Sequence, residues 1–537
     1  MSVTTRSPAT LDLWRELALP VLRKTGEVAD AADVDRILAT TTDDGVTIAP
    51  LYVDSHAVPE VHPAPGPWDV RQQLTDEADL AEEVAGGTTS LWLVSEDVPP
   101  AVLSSGLCLV LDAGPQTEVA ADALLRQLHD RPVPLCGNLG ADPLGLAVRT
   151  GRSPRLEPLT RLARRCVEEH PPLRAATVDA TTYHDAGAPD VLELAYALAA
   201  GVTYLRELTA AGLDLRTAMG QIEFRYAVGC DQWPAIAKLR AAQLLWTRVA
   251  RAAGVSGPLR QRQHAVTSRT MMTARAPWTN IVRSTVAAFA AVVGGADAVT
   301  VLPHDGCRGP SGADARRLAR TTHAVLRLET EAGRVQDPAA GSWYAEQLTR
   351  DLALAAWDRF RAVERNGGMV ASVADGTVAA ELAEAAQRRR ADVRRLRRPI
   401  VGVTEFPALD EDPPATLTDG RHAVEFERLR DRAADGKVSP IGLVVLDSPA
   451  AAADTAIVER ILQVAGLRTT EEVSTATVVC VCGLDGGPIP ERLRRPGVRL
   501  WAVAVPTAGV IADGFLYPGC DAVAALAAIL DQAGAPR

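Results

Sequence analysis

The side chains best suited to proton chemistry near neutrality are the nine histidines, at positions 56, 62, 129, 170, 184, 264, 304, 323 and 422. His264 has the most suggestive setting. It opens a strand-like run, His264 to Ser268, that leads through a polar loop to Pro277-Trp278 and then into a helix from Asn280 to Val293. Ile281, Val282, Val286, Phe289, Val292 and Val293 recur there at helical spacing, and Gly294-Gly295 ends the run. A second strand, Asp297 to Leu302, follows. Strand, loop, helix and strand form the repeating unit of a parallel α/β fold. In a barrel built from such units, the loops after the strands face the active site. His264 is therefore the candidate general acid, with a hydrogen-bonded structural histidine as the competing and preferred reading.

Other chemistries find little support. There is no G-x-S-x-G, no Walker loop and no H-E-x-x-H. The eight cysteines, at 108, 136, 166, 230, 307, 480, 482 and 520, form no C-x-x-C pair, and several lie in apolar runs. That pattern predicts buried, reduced thiols rather than a zinc or disulfide framework, so no metal ligands are expected. A net charge of −11 argues against a nucleic-acid partner, which needs a basic face. No apolar run reaches transmembrane length, and the start lacks the basic-then-apolar layout of a signal peptide, so a cytoplasmic protein with no membrane partner is expected.

At 537 residues the chain predicts two or more domains. Residues 1–66 read as an arm: a helix from Leu11 to Lys24 that Pro20 should kink or restart, then a hairpin from Arg36 to Tyr52 around Asp43-Asp44-Gly45. Val58 to Trp68 is Pro-rich and expected to be extended. Residues 67–350 read as a (β/α)8 TIM-type barrel. Its strands are expected at Ser90–Val94, Leu107–Asp112, Val133–Asn138, Ala175–Ala180, Glu223–Gly229, His264–Ser268, Ala298–Leu302 and, weakly, Gly333–Gln336. Helices Val191–Glu207 and Ala235–Ala253 lie between them, the second with Asp231 as N-cap and Pro234 in its first turn. Residues 351–435 read as a helical linker whose arginine runs, Arg388–Arg390 and Arg394–Arg398, form solvated faces. Residues 436–537 read as a flavodoxin-like, doubly wound parallel domain. Its strands are Ile441–Leu446, Thr477–Val481 and Leu500–Val505, and its helices Asp454–Val464 and Asp521–Gln532.

The middle of the chain resembles the cobalamin-dependent methylmalonyl-CoA mutases and their acyl-CoA mutase relatives. Their catalytic chains carry His-x-Gln-Thr-Ser-Gly and then an Asn-(Ile/Val)-x-Arg helix start. His264, Thr267, Ser268, Asn280, Ile281 and Arg283 match, with sixteen positions from His264 to Asn280. Further similarity lies in GPWDVRQ (66–72), AYALAAGVTYLR (195–206), IAKLRAAQLLW (236–246), DPAAGSWYAEQLT (337–349) and RRPIVGVTEF (397–406). The departures fall on ligands. Ala265-Val266 and Arg269 replace polar and small residues of the motif, and the family's substrate tyrosine would fall near Pro63. The family's Gln-Glu before Ala-Gly is missing around Tyr183-His184-Asp185-Ala186-Gly187. Phe224, Arg225, Tyr226, Met271 and Met272 are bulky enough to fill an axis that catalytic barrels keep open. In the last domain the family's cobalt-ligating Asp-x-His-x-x-Gly loop would fall at Asp447-Ser448-Pro449, and residues 423–537 contain no histidine.

Retained fold signatures with erased ligands imply a non-catalytic small (beta) subunit. The resemblance then implies a methylmalonyl-CoA mutase large (alpha) subunit as heterodimer partner, holding both adenosylcobalamin and the CoA thioester. It implies no intact catalytic residue, His264 being vestigial, and no cofactor or metal ligand on this chain. It also implies that the arm, residues 1–66, contacts the partner. The alternatives are an active acyl-CoA mutase that uses His264 with cobalamin from a separate chain, or a scaffold pseudoenzyme with another partner.

Overall fold

A computed structural model describes residues 9–24, 30–54, 66–129, 135–257, 259–414, 416–435 and 438–536. Most of the Pro-rich Val58–Trp68 segment, with Pro63, His56 and His62, lies outside them. The chain divides into two compact units. The first comprises residues 1–268, 284–302 and 317–383, and the second residues 269–283, 303–316 and 384–537.

In the first unit a helix spans Ala9–Arg23, with Pro20 inside it and no restart. Two short strands follow, β1 (Thr40–Thr41) and β2 (Thr47–Ile48), paired antiparallel with Thr40 opposite Ile48. Gly45 supplies the positive φ, +80°, that the hairpin turn requires. The hairpin rests on the barrel. Asp44 accepts the backbone N–H of Val191 at 3.0 Å, satisfying one exposed donor at the start of helix Asp190–Ala210. Tyr52 packs on Tyr344 with ring centroids 5.3 Å apart.

Eight parallel strands close the barrel. They are β3 (Asp69–Leu74), β4 (Ser90–Leu93), β5 (Cys108–Leu111), β6 (Gly137–Ala141), β7 (Leu173–Asp179), β8 (Ile222–Val228), β9 (Arg262–Thr267) and β10 (Ala298–Thr300). β10 pairs back onto β3, Ala298 opposite Asp69. The count of eight agrees with the sequence reading, but one member differs. Gly333–Gln336 lies in turns, and the missing strand is β3. DVRQQL shows no apolar pattern, because Arg71, Gln72 and Gln73 interrupt it, yet Arg71 and Gln72 are buried.

Two further expectations fail here. Cys108 and Cys136 are not free thiols but form a disulfide. Cys108 opens β5 and Cys136 precedes β6, and a hydrogen bond from Leu109 N–H to the Cys136 carbonyl sets them side by side. That adjacency is a property of strand pairing and is invisible in a separation of 28 residues. Phe224 and Tyr226 do not fill the axis. They point outward, where Phe224 meets Trp246 of helix Gln232–Ala252 at 4.8 Å and Gly201 of helix Asp190–Ala210 leaves room for its ring. Asp231 does occupy the N-cap position of helix Gln232–Ala252, but its carboxylate makes no capping bond.

The second unit holds a parallel five-stranded sheet. Its strands are β11 (Ile441–Val445), β12 (Thr469–Thr470), β13 (Val478–Cys482), β14 (Arg499–Val503) and β15 (Gly514–Leu516), ordered β12-β11-β13-β14-β15. That is the flavodoxin order 2-1-3-4-5. Helices Val424–Asp435, Ala451–Val464 and Ala522–Gln532 cover one face, burying Phe426, Leu429, Leu462, Leu526 and Ile529. The other face packs Val479, Val481, Ile489, Leu500 and Val510 under loops and one 3₁₀ turn, Glu491–Leu493. Part of the arginine-rich run is engaged rather than merely solvated. Arg394 pairs with Asp521 at 3.0 Å and Glu425 at 3.1 Å, joining the end of helix Thr377–Arg394 to the starts of two others.

Candidate active site

A strand sends alternate side chains to opposite faces, so ionisable residues two apart on buried strands mark a polar interior. Asp69 and Arg71 on β3, Glu223 and Arg225 on β8, and Arg262 and His264 on β9 follow this pattern. The register places Glu223 opposite Arg262 and Arg225 opposite His264.

These residues build two layers. In the first, Arg71 Nη1 donates to Glu223 Oε1 at 2.5 Å and Arg71 Nε to Ser90 Oγ at 3.1 Å, while Arg262 Nε donates to Glu223 Oε2 at 3.2 Å. Burial alone would raise the Glu223 pKa, but the Arg71 and Arg262 guanidiniums overcome it and hold the carboxyl at about 2. In the second layer Arg225 Nη1 reaches Asp112 at 3.1 Å and Asp179 at 3.0 Å. Its guanidinium lies 4.2 Å from the centroid of Trp92, whose indole N–H donates to Asp112 at 3.1 Å. Arg225, unlike its two neighbours on β8, therefore does occupy the interior.

His264 belongs to the second layer and is fully buried. Its Nε2 lies 2.8 Å from Thr300 Oγ1, and Thr300 gives its single hydroxyl proton to the Arg71 carbonyl at 2.8 Å. The imidazole must then donate from Nε2. Its Nδ1 accepts from Arg225 Nε at 3.3 Å, and Trp92 meets the ring edge-on. Both nitrogens are committed in one neutral tautomer. Burial, then the charges of Arg71 and Arg225, keep its pKa well below the usual histidine value.

Another constellation escaped the sequence reading. His184 Nε2 lies 2.8 Å from Ser268 Oγ, at the end of β9, and His184 Nδ1 lies 3.4 Å from Glu193. The order of hydroxyl, imidazole and carboxylate is that of a hydrolytic triad. Its environment is not. Glu193 is fully buried and already bonded to Lys238 Nζ at 2.9 Å and to the Ala227 N–H, and Ser268 is itself 2% exposed. The group reads as a buried polar clasp between β8, β9 and helix Asp190–Ala210.

In the second unit, Asp447 lies in the short loop after β11, with helix Ala451–Val464 beginning four residues later. The loop is packed against the end of β13, where a Cβ built on Gly483 would stand 2.8 Å from Ser448 Oγ. Among the described residues no group of three or more His, Cys, Asp or Glu is placed to hold a metal ion. Among the same residues no helix is long and apolar enough to cross a membrane.

Comparison with known proteins agrees with this architecture. The family model described as methylmalonyl-CoA mutase matches residues 134–470. The methylmalonyl-CoA mutase small subunit of Streptomyces virginiae is 40% identical, covering 98% of this chain and 97% of the relative. The small subunit of Propionibacterium freudenreichii subsp. shermanii is 32% identical, over 93% and 90%. The large subunit of Porphyromonas gingivalis is 32% identical over 48% of this chain and 37% of its own length. With a family match across more than half its length and relatives that it covers almost end to end, the chain belongs to the methylmalonyl-CoA mutase family.

Proposed function

We propose that this chain is the non-catalytic small subunit of a heterodimeric methylmalonyl-CoA mutase. It supports a large subunit that carries out the adenosylcobalamin-dependent radical interconversion of methylmalonyl-CoA and succinyl-CoA. The observation that carries this reading is the occupied barrel interior. Arg71, Glu223, Arg225, Trp92 and His264 interlock in two layers where a substrate chain would have to pass. His264, the one candidate acid, spends both nitrogens on Thr300 and Arg225. A neutral imidazole with no free nitrogen has no proton to exchange with a ligand.

The last domain supports the same reading. Cobalamin held through a histidine needs an imidazole on the loop after the first strand, and residues 423–537 have none. The loop offers Asp447 and Ser448, and Ser448 is wedged against Gly483. These residues do not fit a histidine-ligated cobalt, so the cofactor and the CoA thioester are assigned to the partner.

The arm supplies a contact surface for that partner. Leu13, Leu17 and Val21 recur every four residues along helix Ala9–Arg23 and all three are exposed. An apolar stripe of this spacing on a helix is what a partner surface would cover. Co-expression with a methylmalonyl-CoA mutase large subunit tests the proposal. The pair should co-purify at one to one and be active, and the small chain alone should not turn over methylmalonyl-CoA. Turnover by the isolated chain would overturn it.

A further inference from the structure

Cys108 opens β5 and Cys136 stands directly before β6. The register pairs Leu109 with Gly137 and Val110 with Asn138, so the two cysteines face each other one step before the ladder begins. Their Cα atoms lie 4.7 Å apart, the ordinary spacing of neighbouring strands. Strand pairing alone holds the sulfurs within bonding reach, so the bond can open and close without moving the backbone.

The seam it clamps is a weak one. Those two residue pairs are the whole of its ladder, whereas β8 and β9 are paired from Glu223–Arg262 to Val228–Thr267. Gly137 has φ +139°, and a Cβ built there would collide with the Leu109 carbonyl, so the approach admits no side chain. On its other edge β6 shifts register against β7 between Asn138 and Ala141. The far ends of both strands nevertheless carry buried polar groups. Asp112 follows β5 and holds Arg225 and Trp92. Asp142 follows β6, accepts the Tyr204 hydroxyl and caps helix Pro143–Thr150 through the Gly145 N–H.

The remaining sulfurs are poorly suited to exchange. Burial raises the thiol pKa of Cys166, Cys307, Cys480, Cys482 and Cys520, so little thiolate forms near neutrality. Cys230 is exposed, but it follows β8 at the opposite end of the barrel. Cys108 and Cys136 are both partly exposed, and exposed disulfides are the labile ones.

We propose that Cys108 and Cys136 form a reversible dithiol–disulfide pair, which exchanges with a low-molecular-weight thiol and sets how tightly the β5–β6 seam is held. One small thiolate attacks a sulfur of the pair. The S–S bond breaks, a mixed disulfide forms, and the other cysteine leaves as a thiolate that takes up the proton the small thiol released. A second small thiolate attacks the mixed disulfide at the small molecule's sulfur. It releases the small disulfide and the second cysteine, which is protonated in turn. Two electrons pass from the two small thiols to the protein pair, and an oxidised small disulfide drives the reverse.

Equilibrating the full chain in glutathione buffers of graded redox ratio, then alkylating the thiols and locating them by mass spectrometry, tests this. Opening and reclosure should both occur in native buffer, at Cys108 and Cys136. The reduced chain should melt about 5 °C lower than the oxidised one, with faster amide exchange over residues 135–142. Cys108→Ser and Cys136→Ser should each melt like the reduced chain at every glutathione ratio, while Cys230→Ser should titrate like the parent. The parent in its two states carries the test if a variant does not fold. A bond that persists in millimolar reduced glutathione, failure to reclose in oxidised glutathione, or identical melting and exchange in the two states would overturn the proposal.

Discussion

Arg71 of β3 and Glu223 of β8 meet inside the barrel, Nη1 to Oε1 at 2.5 Å, with side chains 2% and 3% exposed. The two strands are three apart around the ring, so the contact spans the interior rather than running along its wall. Ion pairs of this kind are poor sources of net stability, because desolvating both groups offsets their attraction. Their consequence here is geometric: they occupy the space that a substrate chain would need.

Removing one partner should be costly. Glu223→Ala leaves Arg71 and Arg262 facing each other without their shared carboxylate. The expected loss is about 3–5 kcal/mol, read as a lower urea midpoint. The double variant Arg71→Met/Glu223→Leu should recover most of it, since a buried pair replaced by apolar groups is often neutral. Equal destabilisation of the single and double variants would contradict this.

Acid should weaken the fold before carboxylates titrate. Burial, then the nearby Arg327 charge, lowers the pKa of His323 to about 3, and His264 is also held well below the ordinary value of about 6.5. Below pH ~6.5 the unfolded chain takes up protons that the native chain refuses, so stability falls with falling pH. His323 alone accounts for about 2 kcal/mol at pH 5. Thermal melts of His323→Gln between pH 7 and 4.5 should show a shallower slope than the parent. Glu223, at about 2, acts only in the window below ordinary carboxylate values and does not confuse the test.

The exposed stripe on helix Ala9–Arg23 predicts a separable defect. Leu17 is 67% exposed, so Leu17→Glu should leave the circular dichroism spectrum and melting of the chain unchanged. Burial of one leucine contributes about 1.5–3 kcal/mol, so affinity for the large subunit should drop at least about tenfold in a pull-down titration. Undiminished pairing would place the contact elsewhere.

Much of the fold was legible in the sequence because buried parallel strands are apolar on both faces. IGLVV and VVCVC stand out for that reason. The failures have two causes. β3 was hidden because its interior positions carry charge, and its neighbours in the ring, not its own composition, make it a strand. β12 and β15, at two and three residues, were too short to show periodicity. For the interior residues the signal was present but unused. Asp69-x-Arg71, Glu223-x-Arg225 and Arg262-x-His264 each place ionisable residues two apart, which is the strand period. The partners of His264 were not legible, since Thr300 and Arg225 reach it only through the ring closure.

The most direct test of the small-subunit account is a titration of adenosylcobalamin followed by visible absorption, on the isolated chain and on its complex with a large subunit. The account predicts no spectral change with the isolated chain and one cobalamin per heterodimer. Stoichiometric binding by the isolated chain would contradict it and would return His264 to consideration as a catalytic residue.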